Sequence, residues 1–113
     1  HIGNFRTYVF EDILRRSLQF FGFPVVQAMN LTDIDDKTIK GAIAKKMALR
    51  EYVEPYRKAF FEDLGQLCIQ KVEFYPAATD YIPAMIEIIK ELLKKGFAYE
   101  GQEGSIYFSI RSF

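Results

Sequence analysis

The segment that most constrains the fold is residues 24–30, a short and mostly apolar run with the sequence Pro-Val-Val-Gln-Ala-Met-Asn. A run of this length and composition is typical of a strand buried on both faces of a parallel sheet. Segments with helical periodicity precede and follow it, an order typical of a doubly wound α/β domain. The sequence therefore predicts an α/β fold without the strand expected before the first helix.

Helical periodicity is clear in residues 4–21, where apolar residues recur every three or four positions. The face that we expect to be buried consists of Phe10, Ile13, Leu14, Leu18 and Phe21. Asn4 is the predicted N-cap of this helix, and Gly22 its predicted end. A second helix is predicted from about residue 35 to 47, with acidic residues at its start and lysines later, as the helix dipole favours.

Residues 48–113 have a different character. Residues 48–67 are predicted to be helical, with a kink or a restart at Pro55. Residues 71–78 are expected to form a loop or an extended stretch, and Thr79 to cap a helix that Gly96 ends. The predicted buried stripe of that helix is Ile82, Met85, Ile86, Ile89, Leu92 and Leu93. Two strand candidates, residues 97–100 and 105–110, predict a terminal hairpin.

Composition excludes several classes of function. The 113 residues include 15 basic and 15 acidic side chains, and this net charge of zero leaves only a local patch for binding nucleic acid. No apolar run approaches the roughly 20 residues of a membrane helix. The single cysteine, Cys68, favours a reducing, cytoplasmic setting, and its apolar neighbours predict a buried side chain. Since the sequence begins at His1, we expect a processed, excised or partial chain.

The first candidate site is His1-Ile2-Gly3-Asn4, at the start of the first predicted helix. A helix N-terminus favours phosphate, and a glycine lets a flat ligand approach the backbone. His1 and Asn4 can donate hydrogen bonds to phosphate oxygens, as nucleotidyl transfer requires. The alternative is an ordinary helix start in which these residues occur by chance.

The second candidate site follows the predicted strand, with the sequence Asn-Leu-Thr-Asp-Ile-Asp-Asp-Lys at residues 30–37. Ligands of α/β folds bind at the carboxyl ends of parallel strands. Thr32 and the acidic residues can hold an amine or a hydroxyl, and spaced carboxylates suit Mg²⁺. The alternative is an acidic helix cap, with Asp33 or Asp35 at the N-cap and Lys37 solvated.

A local cluster of basic residues follows the second motif. It consists of Lys37, Lys40, Lys45, Lys46 and Arg50. Such a cluster can contact RNA, although a solvated helix face is the commoner meaning.

The two motifs, in this order and at this separation, resemble the cysteinyl-tRNA synthetases, which are class I synthetases with a Rossmann-type catalytic domain. The likeness covers residues 1–4, 6–7, 12, 19–23 and 30–40 and continues more weakly to the terminal hairpin. It implies that residues 1–47 are the first-half segment of the nucleotide-binding fold, lacking its first strand. Residues 48–113 would begin a mainly helical α+β connective insertion.

The resemblance also implies a cytoplasmic enzyme that activates cysteine with ATP and Mg²⁺ and transfers it to tRNA(Cys). His1, Ile2, Gly3 and Asn4 would be the HIGH signature that binds ATP, with His1 and Asn4 as catalytic residues. Thr32 would lie beside the amino-acid pocket. The family uses Zn²⁺ to bind the substrate thiolate, and we expect the zinc ligands outside this chain.

Two alternatives remain open at this stage. A cysteine ligase of mycothiol biosynthesis shares the adenylation half-reaction, and a truncated paralogue would bind a partner or tRNA without catalysis. For each reading, we expect the 113-residue chain to be inactive alone, because it lacks the zinc ligands and the Lys-Met-Ser-Lys-Ser signature.

Overall fold

Helices dominate the chain, as seen in a computed structural model that describes the backbone of residues 2–113 and the side chains of residues 3–113. The elements are α1 (Ile2–Phe20), α2 (Asp36–Ala44), α3 (Leu49–Gln66), α4 (Ile82–Lys94), β1 (Ala98–Glu100) and β2 (Ile106–Phe108). They form two compact units, His1–Ala78 and Thr79–Phe113. The boundary between the nucleotide-binding segment and the connective insertion, expected after residue 47, concerns function and not compactness, and it stays a prediction.

All four helices end in the same way. After α1, the N–H of Gly22 bonds to the carbonyl of Gln19 and that of Phe23 to the carbonyl of Leu18, which is a Schellman motif. Gly22 and Gly96 have positive φ angles of 81° and 75°, so both predicted helix stops are confirmed. The same position after α2 and α3 is held by Lys46 (φ 52°) and Cys68 (φ 54°).

Two predicted N-caps are wrong. Asn4 lies inside α1, which begins at Ile2. Thr79 lies in a short 3-10 turn, Ala78–Tyr81, and Tyr81 is the residue that precedes α4. Pro83 occupies the first turn of α4, where its missing N–H costs little. α3 runs through Pro55 without the predicted restart.

The segment predicted as a fully buried strand is extended but buried on one face. Isolated parallel bridges join Ala28 to Phe74 and Leu31 to Ala77, so this segment and the stretch before α4 lie side by side. Met29 is buried, whereas Val26 is 74% exposed. The prediction of burial on both faces is therefore wrong for this chain, because the face that carries Val26 has no covering layer among the described residues.

The core of the first unit forms where α1, the extended segment and α3 meet. Its buried members are Met29, Leu64, Ile69 and Val72, and half-buried aromatic rings pack against them. Tyr8 of α1 meets Phe60 of α3 edge to face, with 5.3 Å between ring centroids. Phe61 meets Tyr75 at 4.9 Å. α1 and α3 are thus joined by aromatic packing.

The face of α1 that points into this unit is not the most apolar one. Phe5, Tyr8, Asp12 and Arg15 face inward, and Arg15 is only 7% exposed. The predicted buried stripe faces outward, with Phe10 63% and Phe21 74% exposed. That prediction is wrong for this chain because the inward face is fixed by aromatic contacts and hydrogen bonds to residues 68–73.

α2 packs closely on α3 where Gly41, which has no Cβ, lies against the ring of Tyr52. A Cβ at Gly41 would lie 2.9 Å from Cε1 of Tyr52, which is closer than real contacts allow. At the other end of α3, Cys68 is exposed. The prediction that Cys68 is buried is wrong, because the turn that ends the helix points its side chain outward.

The second unit contains α4 and the predicted terminal hairpin. β1 and β2 are antiparallel, with Ala98 opposite Phe108 and Glu100 opposite Ile106. Leu92 and Leu93 of the predicted α4 stripe are half-buried, whereas Met85, Ile86 and Ile89 are exposed. The chain as described is therefore a mixture of helices with a small sheet.

Candidate functional site

A cleft of about 490 Å³ lies in the first unit, between the start of α1, the extended segment and α3. Its α1 wall is formed by Asn4, Tyr8 and Glu11. These residues recur at intervals of four and three, so one face of the helix lines the cleft. The size of the cleft is that of a typical small-molecule site.

The cleft brings the two sequence motifs together. Asn4 of the first motif and Asn30, Thr32 and Asp33 of the second line the same cavity. The side-chain amide of Asn30 donates a hydrogen bond of 3.3 Å to Oγ1 of Thr32. Donors and acceptors from both motifs therefore face one ligand-sized space.

The other members of the first motif are less well defined. His1 lies outside the described residues, and of Ile2 only the backbone is described. Gly3 is exposed and is not among the residues that line the cleft. Their predicted roles with ATP stay predictions.

The acidic part of the second motif acts mainly as a helix cap. Oδ1 of Asp35 accepts a hydrogen bond of 2.6 Å from the N–H of Thr38, and Oγ1 of Thr38 accepts one of 2.8 Å from the N–H of Asp35. This capping box, with the Thr38 N–H as the main cause, lowers the pKa of Asp35. Lys37 is exposed. The cap alternative is thus confirmed for Asp35, while Asp33 lines the cleft.

The wall on the far side of the cleft comes from α3 and was missed by sequence reasoning. It consists of Val53, Tyr56, Arg57 and Phe60. Arg57 is the cationic lining residue in the described part of the chain. The helical spacing of these residues was visible in the sequence, but nothing in it indicated that this face meets α1.

A hydrogen-bond network fixes the two motif-bearing segments against each other. Nη2 of Arg15 donates to Oε1 of Glu73 over 2.5 Å, and Nη1 to the carbonyl of Lys71 over 3.4 Å. The other Glu73 oxygen accepts the N–H of Gln27 over 2.9 Å. The Gln27 amide in turn donates to Glu11, which lines the cleft, over 3.3 Å.

A second contact ties α1 to the end of α3. Asp12 accepts hydrogen bonds from Nε of Arg16 (2.6 Å) and from the N–H of Gln70 (2.9 Å). Burial raises the pKa of Asp12, but these two hydrogen bonds outweigh it and the net pKa is lowered. Arg16 also donates to the carbonyl of Cys68 over 2.7 Å. α1 is therefore held at two points along its length.

The described residues do not fit a zinc site. Within residues 2–113, no three His, Cys, Asp or Glu side chains are grouped as metal ligands. Nor does the described part of the chain contain a helix that is long and apolar enough to cross a membrane.

Comparison with known proteins points to one family. Residues 1–113 match the family model described as tRNA synthetases class I (C) catalytic domain. Over all 113 residues, the chain is 68% identical to the cysteine–tRNA ligase of Protochlamydia amoebophila and 59% identical to that of Chlamydia pneumoniae. The corresponding ligase of Chlamydia felis is 56% identical. The chain spans 24% of the length of each of these relatives.

Proposed function

The chain belongs to the family of class I (C) tRNA synthetase catalytic domains, and from this premise we propose that the intact protein is a cysteine–tRNA ligase. The observation that carries the proposal is the cleft, in which Asn4 and Thr32 line one ligand-sized space. Relatives at 56–68% identity that bear this name support it. The intact protein would use cysteine, ATP with Mg²⁺ and tRNA(Cys), and we place it in the cytoplasm.

In the proposed reaction, a carboxylate oxygen of cysteine attacks the α-phosphorus of ATP and pyrophosphate leaves. A hydroxyl at the 3′ end of the tRNA then attacks the carbonyl carbon of the cysteinyl-adenylate and loses its proton, the bond from that carbon to the phosphate oxygen breaks, and AMP leaves. His1 and Asn4 would stabilise the charge that develops on the phosphates, and Gly3 would make room for adenosine. Thr32 would contact the amino acid. Asn4 can donate a hydrogen bond but cannot ionise, so it contributes no full charge.

We further propose that the parallel bridges at Ala28 and Leu31 belong to a Rossmann-type sheet. Since the chain spans 24% of its relatives, the remaining strands would come from the rest of the protein. Because the bridged partners Phe74 and Ala77 lie in the same compact unit, we extend the first half of the catalytic fold from residue 47 to Ala78. The connective insertion would then begin at Thr79.

The decisive experiment is cysteine-dependent exchange of pyrophosphate into ATP by the intact protein, followed by charging of tRNA(Cys). We expect exchange with cysteine and far less with serine, and no exchange by the isolated 113-residue chain. Exchange followed by transfer to an amino sugar instead of tRNA would identify the mycothiol ligase. An intact protein without exchange that still binds a protein or RNA tightly would be the non-catalytic paralogue.

Substitutions in the two motifs separate their roles. We expect His1→Ala to lower kcat for exchange much more than it raises the KM for cysteine, since its hydrogen bonds strengthen in the transition state. Thr32→Val removes only the hydroxyl and should mainly raise the KM for cysteine. Equal effects of His1→Ala on kcat and on cysteine binding would contradict the transition-state role.

A further inference from the structure

The basic charge of the chain is concentrated in one segment. Residues 37–50 contain five of the 15 basic residues and none of the 15 acidic ones, which leaves ten basic against 15 acidic residues elsewhere. We call residues 37–50 the basic segment. Its cations are Lys37, Lys40, Lys45, Lys46 and Arg50. Asp36 in α2 and Glu51 in α3 flank this segment directly, so residues 36–51 carry five cations against two carboxylates, a local net charge of +3.

The lysines of the basic segment are available to a partner. All four are exposed. Within the described part of the chain, no carboxylate forms an ion pair with any of the four lysines. Nζ of Lys45 lies 5.3 Å from the centre of the Tyr52 ring, which holds one ammonium group beside α3. Elsewhere many cations are already paired, such as Arg15 with Glu73 and Lys90 with Glu87.

The basic segment begins at the cleft. Thr38, in the first turn of α2, lines the cleft, and Lys37 and Lys40 lie one and two residues from it. The contact between Gly41 and Tyr52 holds α2 against α3, next to Val53, which also lines the cleft. The positive surface and the cleft are thus adjacent parts of one unit.

We propose that the basic segment binds the phosphates of the 3′ acceptor strand of tRNA and guides that strand to the cleft. This inference rests on the proposed function, in which the 3′ end must reach an adenylate held in the cleft. Lysines on a solvated surface bind phosphates by releasing counterions and need no base contacts. Such binding suits a strand whose identity is read elsewhere on the tRNA.

The test uses the intact protein and the double variant Lys40→Gln/Lys45→Gln. Lys58→Gln serves as a matched control, since Lys58 is an exposed lysine of the same unit that does not line the cleft. We expect the double variant to raise the KM for tRNA(Cys) about fivefold and to leave cysteine-dependent exchange unchanged. The salt dependence of tRNA binding should weaken by about 0.7 in log–log slope for each contact removed. The control should match the wild type in all three measurements.

The affinity for tRNA, measured directly by filter retention, tests the inference without depending on catalysis. If exchange is normal but tRNA binding and its salt slope are unchanged in the double variant, the inference is wrong and the proposed function stands. If the intact protein shows no exchange but the double variant loses tRNA affinity, the ligase proposal fails and the RNA surface stands. An acidic protein captured through these lysines, with tRNA binding unaffected, would also overturn the inference.

Discussion

Arg15 is a charged residue on the inward face of α1, where it is only 7% exposed. Its two terminal nitrogens are hydrogen-bonded to Glu73 and to the carbonyl of Lys71, while its Nε has no partner among the described residues. Glu73 is partly exposed and also accepts the Gln27 N–H. Most of the free-energy cost of removing charge from water therefore arises at Arg15, and the ion pair with Glu73 offsets it.

The two partners should respond differently to substitution. Arg15→Met leaves a carboxylate that water can reach and should cost no more than about 1 kcal/mol. Glu73→Ala leaves a buried guanidinium without its carboxylate and should be clearly more destabilising. Hydrogen exchange of the Met29 amide, which donates to the carbonyl of Phe74 and to neither partner, measures both effects in the intact protein. Glu62→Ala removes an exposed carboxylate of the same unit and is the control. A larger destabilisation by Arg15→Met than by Glu73→Ala would contradict this assignment of the desolvation cost to Arg15.

Glu73 also predicts a dependence on pH. The Gln27 N–H, followed by Arg15, holds the pKa of Glu73 below its ordinary value of 4.5. The charged form is therefore favoured in the folded state, so its stabilising effect is complete above pH 4.5 and is lost as pH falls through the lowered pKa. Protection of the Gln27 amide should fall over that range and should show no such step in Glu73→Gln.

At the scale of elements, the helix ends are more regular than the helix starts. Four Schellman motifs end the four helices, two at glycines and two at Lys46 and Cys68. A left-handed conformation costs a residue with a side chain about 1 kcal/mol relative to glycine. The ends of α2 and α3 are thus held in place against an intrinsic backbone preference.

Exchanging residues at these ends should therefore have opposite effects. Cys68→Gly should stabilise the end of α3 by about 1 kcal/mol, and Gly22→Ala should destabilise the end of α1 by a similar amount. No atom lies within 4 Å of a Cβ added at Gly22, so that loss reports backbone strain alone. Hydrogen exchange of the Ile69 and Phe23 amides in the intact protein checks both. An unchanged Ile69 amide would show that Cys68 is unstrained.

At the scale of the whole molecule, the apolar face of α1 is the largest mismatch between composition and burial. Phe10, Ile13, Leu14, Phe20 and Phe21 are all exposed. A surface of this kind on a small chain favours association. In the proposed Rossmann-type fold, the remaining sheet would cover it.

The chain expressed alone should therefore self-associate, as measured by light scattering over a range of concentrations. Leu14→Lys should reduce that association, yet it should destabilise the intact protein by placing a charge in a buried interface. Gln19→Lys, at an exposed position on the opposite face of α1, is the control for added charge. A Leu14→Lys variant that is harmless in both settings would show that the face is never covered.

Sequence reasoning succeeded where the signal was local and failed where it depended on neighbours. The glycine stops after α1 and α4, the Asp35 cap and the hairpin all follow from short-range chemistry. Asn4 and Thr32 line one cleft, which agrees with motifs placed at the start of the first helix and after the extended segment that follows it. The inward face of α1 was not predictable, because aromatic and polar contacts to distant residues decided it against hydropathy. The α3 wall of the cleft was missed for the same reason.

The close contact between Gly41 and Tyr52 has a consequence for how this sequence can vary. Any side chain at position 41 must displace the ring at position 52. Substitutions at the two positions are therefore coupled. A library that varies position 41 alone, with tyrosine kept at position 52, is expected to favour glycine. One that varies both would recover pairs in which an added methyl is matched by a smaller partner. The spacing between α2 and α3 at this contact is thus set by a pair of residues.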